Sequence, residues 1–396
     1  MGGEPAIALV DGDHHPAAVR EALDRLESER GLAGVVFVGG DEKIGPGADW
    51  GRPVRHDPER SLRELAPLAG GVVDLADEPV LPPSAKLRLA ALALHLGLSY
   101  EAPGMRLDPP LYAPVPFEGP KLAVIGTGKR TGKTAVAGHW AGLLDDPVIV
   151  CMGRGGPREP TLAEPGASLD DLLAIAERGE HAASDYLEGA VLAGVRTVGC
   201  RRVGGGPAGA PAESNVVEGA ALAATLAPGA IVFEGSGACI PPVQVDRTVC
   251  IVGAGADEPL AEYRLLRADL VLAPEGAPSP PGALRFELRP EPAEPISAGA
   301  RVALFTTGAE RCQGVEPVLV STNLARREAL AADLERAAAE GCDVYLTELK
   351  AAAIDTVAVE AGRRGARVAF VRNRPVGLDG DLDAALVKLY EDAATA

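Results

Sequence analysis

The chain has 396 residues, 47% of them apolar and 24% charged, enough at about 100–200 residues per domain to bury cores in two or three domains. Its 38 lysines and arginines face 56 aspartates and glutamates, a formal net charge of −18, and aromatic residues make up only 4%. Such a field repels nucleic acid and anionic membranes, so few rings offer no stacking platform for single strands, and no apolar run reaches the roughly 18 residues of a membrane span.

In chain order, residues 7–10 are predicted as a strand, 16–29 as an amphipathic helix, 35–38 as a second strand and 84–96 as another helix. Residues 102–120 contain Pro103, Pro109, Pro110, Pro114, Pro116 and Pro120. That density forbids helix and favours an extended connector, so an N-terminal α/β domain is expected over 1–117 and a second domain over 118–396. In the second domain, strands are expected at 122–125, 148–152, 231–233, 248–252, 270–272, 302–305, 318–321, 343–346 and 367–371. Helices are expected at 134–144, 169–177, 182–193, 216–225, 326–340 and 353–364. Strands alternating with helices mean a mostly parallel, helix-covered sheet. Residues 274–295 are proline-rich and read as an irregular insert or linker before a C-terminal αβ segment that starts at about residue 300. Residues 1–13 lack a basic stretch followed by an apolar one, so a cytoplasmic protein is expected. The cysteines are dispersed, with no C-x-x-C pair or Cys/His cluster, which favours reduced, buried thiols over structural zinc.

The sharpest motif follows the connector: Lys121-Leu-Ala-Val-Ile-Gly126-Thr127-Gly128-Lys129-Arg130-Thr131-Gly132-Lys133-Thr134. An apolar strand runs into a glycine-rich loop and then a helix, the arrangement of a phosphate loop (P-loop). Backbone N–H groups and the helix N-terminus can cradle phosphates, Lys133 can reach the transferring group, and the Thr134 hydroxyl can hold Mg²⁺. The written form G-T-x-x-x-x-G-K-T is similar to the dethiobiotin-synthetase branch of P-loop enzymes. Only seven lysines stand beside 31 arginines, yet Lys129 and Lys133 share this one loop, and a second cation there suits phosphoryl transfer.

Ile231-Val-Phe-Glu234-Gly-Ser-Gly237 places an acid at the carboxyl end of a buried strand, where open α/β sheets bind ligands; Glu234 is a candidate for Mg²⁺ and catalysis. Cys151-Met-Gly-Arg154-Gly-Gly-Pro and Cys200-Arg201-Arg202-Val-Gly-Gly-Gly offer guanidinium groups in open backbone. In an acidic chain, such arginines make a local cationic cleft for a small, highly anionic, phosphorylated substrate.

These residues, with Asp11-Gly-Asp-His14-His-Pro, His181-Ala-Ala-Ser-Asp185-Tyr, Ser214-Asn215-Val and Glu348-Leu-Lys350-Ala-Ala-Ala-Ile-Asp355, resemble the cyclic 2,3-diphosphoglycerate synthetase family over essentially the whole chain. The resemblance implies use of ATP and Mg²⁺ to join the two phosphates of 2,3-diphosphoglycerate, with release of ADP and phosphate. It assigns Lys133, Lys129 and Glu234 to catalysis and Gly126 through Thr134 to the nucleotide. Thr134 and Glu234 serve the metal, and Arg154, Arg201, Arg202, Lys350, Asp11 and His14 bind substrate. Two other readings use the same motifs: a P-loop kinase of 2-phosphoglycerate or a related acid, and a nucleotide-dependent regulatory switch. A homodimer is an assembly open to the chain.

Overall fold

The computed structural model describes residues 4–40, 49–179, 182, 184–253 and 260–395. The chain forms two compact units, Met1–Leu111 with Asp257–Arg267, and Tyr112–Ala256 with Ala268–Ala396. A boundary at 117/118 makes the first domain contiguous; the structure adds to it the helix Ala261–Leu266, which packs on the helix Pro83–His95.

In the first unit, β1 (Ala6–Val10), β2 (Leu32–Phe37), β3 (Val54–Arg55), β4 (Gly71–Asp74), β5 (Ser99–Ala102) and β6 (Met105–Leu107) form a sheet in the order β3-β2-β1-β4-β5-β6. All neighbours are parallel except the β5–β6 hairpin. Every residue of β1 is buried, as expected for a central strand covered on both faces. The helix Pro16–Arg30 turns Val19, Leu23 and Leu26 inward, a spacing of four and three residues that keeps them on one side. The sheet winds outward in both directions from β1, so its strand order reverses beside β1 and β4.

The second unit holds β7 (Lys121–Gly126), β8 (Pro147–Gly153), β9 (Thr161–Ala163), β10 (Arg196–Val203), β11 (Glu213–Ser214), β12 (Ala230–Glu234), β13 (Arg247–Ile251), β14 (Leu270–Pro274), β15 (Leu284–Pro292), β16 (Val302–Phe305), β17 (Leu319–Ser321), β18 (Val344–Glu348) and β19 (Arg367–Gly377). They form one sheet ordered β11-β10-β8-β12-β7-β13-β14-β15-β19-β18-β16-β17, with β9 on β10. The expected mostly parallel, helix-covered α/β architecture is present. The helix Lys133–Gly142 buries Trp140 against the sheet, and the Trp140 indole donates to the Leu386 carbonyl of the helix Leu382–Ala394 at 2.9 Å.

Three local expectations need correction. Residues 284–292 are not part of a linker: they are β15, at the centre of the sheet order. Pro290 and Pro292 are tolerated because β14 pairs only as far as Phe286, so beyond it β15 has a partner on one side alone, β19. Arg201 and Arg202 are not in a loop but end β10, which runs through them. The helices expected over 182–193 and 353–364 each contain a π turn, Gly189–Ala193 and Ala353–Ala358.

β19 is unusually long, and its register explains the layout of the second unit. Its first half, to Val371, pairs in parallel with β18; from Val371 onward it pairs antiparallel with β15. Val371 sits opposite both Glu348, the last residue of β18, and Pro292, the last of β15. The carboxyl ends of the two halves of the sheet therefore converge on one point of one strand. Among the described residues, no helix is long and apolar enough to cross a membrane, and the cysteines are buried with no disulfide.

Candidate active site

The P-loop lies between β7 and the helix Lys133–Gly142, as the motif requires. Its sharp turns fall on Arg130, at φ 58°, and Gly132, at φ 92°, the latter a conformation that favours glycine. Thr127, which stands where the general motif has its first glycine, has its own use. Its N–H donates to the Ile251 carbonyl at 3.0 Å and its hydroxyl accepts from the Gly253 N–H at 2.7 Å, tying the loop to β13 and the segment after it. Gly126 is confined: a Cβ there would meet Thr131 Oγ1 at 2.9 Å and the Ile251 carbonyl at 3.0 Å. At Gly128 a Cβ would meet nothing within 4 Å, so the chain itself does not demand glycine there.

Lys133 is buried, and its ammonium donates to the Gly128 carbonyl at 2.7 Å and Thr131 Oγ1 at 3.2 Å. Burial lowers its pKa to about 8, partly opposed by the nearby Glu234. Glu234, at the end of β12, is also buried and accepts from the Thr134 hydroxyl at 2.5 Å. Burial, with Asp185 next in size, pushes its pKa up to about 8. Lys129 is exposed and has no ion-pair partner among the described residues.

Asp185 belongs to this centre and was absent from the candidates, although the His181-Ala-Ala-Ser-Asp185-Tyr segment had been singled out. His181 and Ala183 lie outside the described residues. Asp185, Glu234 and Cys151 each present a ligand atom within 4.8 Å of the other two. Two carboxylates beside the Thr134 hydroxyl make an oxygen donor set suited to a hard cation such as Mg²⁺. The Cys151 thiol is raised well above its ordinary range by burial, then by Glu234 and Asp185, and so stays neutral beside them. Spacing could not reveal the group, because its members come from the ends of β8 and β12 and from the short helix Asp185–Glu188.

The arginines divide. Arg202 is half-buried: one Nη donates to the Gly204 carbonyl at 2.6 Å, the other to the Ser236 carbonyl at 2.9 Å, and the buried Nε has no hydrogen bond. Burial lowers its pKa. Gly237, at φ 62°, lets Arg154 and Arg202 come together: a Cβ there would collide with the Arg154 guanidinium and lie 3.3 Å from Arg202 Nη2. Arg154 in turn acts on Lys133, lowering its pKa by like charge. Two guanidinium groups over one backbone turn make an anion site. Arg201 is exposed and, as the neighbour of Arg202 on a strand, faces the opposite side of the sheet. The structure therefore brings Arg154 and Arg202 together and leaves Arg201 apart. Lys350 follows β18, with its ammonium 3.5 Å from Glu188 Oε1; attraction to Glu188 raises the Lys350 pKa, while burial pushes Glu188 up to about 7.

Asp11 and His14 form their own arrangement in the first unit, after β1 at the reversal of strand order. Asp11 is fully buried and accepts from His14 Nδ1 at 2.7 Å and from the backbone N–H groups of Asp13, His14 and Asp77 at 3.0, 3.2 and 2.6 Å. The hydrogen bond to Asp11 raises the His14 pKa above 6.5. Because the folded value is the higher one, the stabilisation is complete below the unfolded pKa and is lost as pH rises through the folded one. Asp11→Asn is expected to lower the His14 titration midpoint in NMR; an unmoved midpoint would show that Asp11 does not control it.

Three segments match parts of one family: 5–108 matches the cyclic 2,3-diphosphoglycerate synthetase N-terminal domain, 121–274 its P-loop domain and 295–374 its C-terminal domain. The cyclic 2,3-diphosphoglycerate synthetase of Rubrobacter xylanophilus is 46% identical over 95% of this chain and 96% of its own. Those of Thermococcus gammatolerans and Thermococcus onnurineus are 39% and 38% identical over 97% of this chain and 96% and 98% of theirs.

Proposed function

Because this chain belongs to the cyclic 2,3-diphosphoglycerate synthetase family, we propose that it is a cytoplasmic ATP-dependent ligase that closes 2,3-diphosphoglycerate into its cyclic phosphoanhydride, releasing ADP and phosphate. The observation that best supports the reading is that Lys133, Thr134 and Glu234 share one centre with the Arg154–Arg202 pair, in a chain of net charge −18. A local concentration of cations in an acidic protein suits a substrate whose ester phosphates each carry roughly −1.5 to −2 at neutral pH.

In this mechanism ATP transfers its γ-phosphoryl to an oxygen of one substrate phosphate, giving ADP and a linear anhydride. An oxygen of the neighbouring phosphate then attacks the phosphorus of the activated ester, and inorganic phosphate leaves. Repulsion between the reacting anions is the main barrier, so the protein supplies charge and position rather than a nucleophile. The P-loop from Gly126 to Thr134 binds ATP, with Lys133 and Lys129 against the transferring phosphoryl group. Arg154 and Arg202 orient the acceptor, with Lys350 beyond them; Arg201, Asp11 and His14 remain candidates for substrate binding. Mg²⁺, held by Thr134, Glu234 and Asp185, would neutralise phosphate charge.

With ATP, Mg²⁺ and 2,3-diphosphoglycerate, ADP and phosphate should appear in equal amounts and only when the acceptor is present. The product should be lighter than the acceptor by one water, and phosphorus NMR should show its esters becoming an anhydride pair. An acceptor gaining a phosphoryl group would indicate a kinase, and ATP hydrolysis with the acceptor unchanged a switch; either defeats ring closure.

Glu234→Gln is expected to raise the Mg²⁺ concentration needed for half-maximal turnover about tenfold or more, with smaller change in ATP affinity. The amide keeps the shape but has no proton to release, whereas Glu234, with its pKa raised to about 8, gives up its proton when a hard cation binds and then holds it as a carboxylate. An unchanged metal titration would make Glu234 a structural residue.

A further inference from the structure

A cavity of about 340 Å³ lies along the outer side of the P-loop helix, within the size range of small-molecule sites. It begins at Thr134, which already bonds Glu234, and runs to Gly142 near the end of that helix. One wall is Glu188 and the π turn Gly189–Ala193; the other is the stretch of β19 from Arg372 to Pro375 that pairs with β15. That stretch follows directly on Val371, opposite which the carboxyl ends of β15 and β18 meet.

The wall on β19 is cationic. Arg372 and Arg374 are two residues apart on a strand and so share a face. Both reach one carboxylate: Arg372 Nη2 lies 2.6 Å from Glu291 Oε1, and Arg374 Nε 3.5 Å from Glu291 Oε2. Two guanidinium groups on one carboxylate leave an excess positive charge, and their side chains are 47% and 43% exposed, with donors open to a second anion. The opposite wall has the complementary feature. Glu188 is 6% exposed, its Oε1 faces Lys350, and its buried Oε2 has no hydrogen-bond partner. A buried oxygen without a donor is rare, and here it borders the cavity, where the O–H of a phosphate that is still singly protonated, as part of the population is at a charge of about −1.5 to −2, can donate to it.

We propose that this cavity is the acceptor pocket, and that Arg372 and Arg374 bind the acceptor phosphate remote from the Arg154–Arg202 pair. The assignment rests on the proposed reaction and deepens it. In this assignment Arg372 and Arg374 neutralise one acceptor phosphate and Arg154 and Arg202 the other, and Thr134, which ends the P-loop, lines the cavity while bonding Glu234. Acceptors with one phosphate gain nothing from the second pair, which makes Arg372 and Arg374 specificity-determining residues for the doubly phosphorylated acid.

The test is calorimetric titration of the full chain with 2,3-diphosphoglycerate and, separately, with a non-hydrolysable ATP analogue. Arg372→Ala and Arg374→Ala should each weaken acceptor binding about tenfold or more and leave the ATP analogue within about twofold, which also shows that the variants are folded. Gly142→Phe offers an independent route. Gly142 lines the cavity without a positive φ, and a Cβ there meets nothing within 4 Å, so the ring can fill the cavity without forcing the backbone. It should block the acceptor while keeping both arginines. In the arginine variants 2-phosphoglycerate, which has one phosphate, should bind as it does to the unaltered protein. Unchanged acceptor affinity in all three variants overturns the placement, and so does a loss confined to the ATP analogue, which would assign the cavity to the nucleotide. Failure of the unaltered protein to bind 2,3-diphosphoglycerate overturns the reaction itself, a different result from binding that the variants do not disturb.

Discussion

Lys133→Ala is expected to lower turnover about a thousandfold or more while the protein remains folded and the ATP analogue still binds. Removing one preorganised donor to a developing charge typically costs about 2.7–4 kcal/mol of transition-state stabilisation, and an ammonium facing phosphate belongs at the upper end. The fold survives because Lys133 holds the loop rather than a core: among the described residues its ammonium bonds only Gly128 and Thr131 within that loop, and the Thr127 bonds to Ile251 and Gly253 remain. Arginine should not restore activity, since a wider planar group cannot occupy so closed a position. Turnover within tenfold of the unaltered protein, in a variant with the same melting temperature, would remove the P-loop from the reaction.

The second large effect is on stability. Asp74 at the end of β4 is buried; Lys86 Nζ lies 2.7 Å from its Oδ2 and the Tyr100 hydroxyl donates to the same oxygen at 2.8 Å. Lys86 also donates to the Ala76 carbonyl at 2.7 Å, and burial followed by the charge of Asp74 pushes the Tyr100 phenol upward. Lys86→Met leaves a buried carboxylate without its cation and should lose about 3–5 kcal/mol in urea denaturation of the full chain. Replacing the whole set, as Asp74→Leu/Lys86→Met/Tyr100→Phe, should recover part of that loss, because no charge or hydroxyl is then stranded, although the Ala76 N–H and carbonyl lose their partners. A loss below about 1 kcal/mol in the single variant would show that water or a shift of the chain compensates Asp74.

The P-loop was legible in the sequence because all its information is local: strand, turns and helix follow one another over 14 residues from Lys121 to Thr134. Glu234 was legible for a related reason, an acid placed directly after an apolar run. Asp185 was not, because its partners come from the ends of β8 and β12 and no spacing connects them. Arg201 and Arg202 looked equivalent among glycines, yet a strand passing through them separates their side chains by the alternation of the pleat. The largest omission, β15, came from weighing Pro290 and Pro292 against a strand without knowing that β14 stops short. Proline rules depend on which edge of a strand is paired, and pairing is a property of the fold.

The Trp140–Leu386 contact has a consequence for the order in which the protein can be completed as it is synthesised. The P-loop helix is made early, but Leu382, Leu386 and Ala393, which share a hydrophobic cluster with Trp140, are translated more than 200 residues later. Until then a large aromatic surface of the nucleotide-binding core stays uncovered. The first unit is completed late as well, since its helix Pro83–His95, which also packs on the helix Pro58–Leu65 and on β5, takes one further partner from Ala261–Leu266, made after the P-loop. Each unit therefore passes through a stage without part of its apolar cover, until these late segments have left the ribosome. That is the stage at which chaperones engage and aggregation competes.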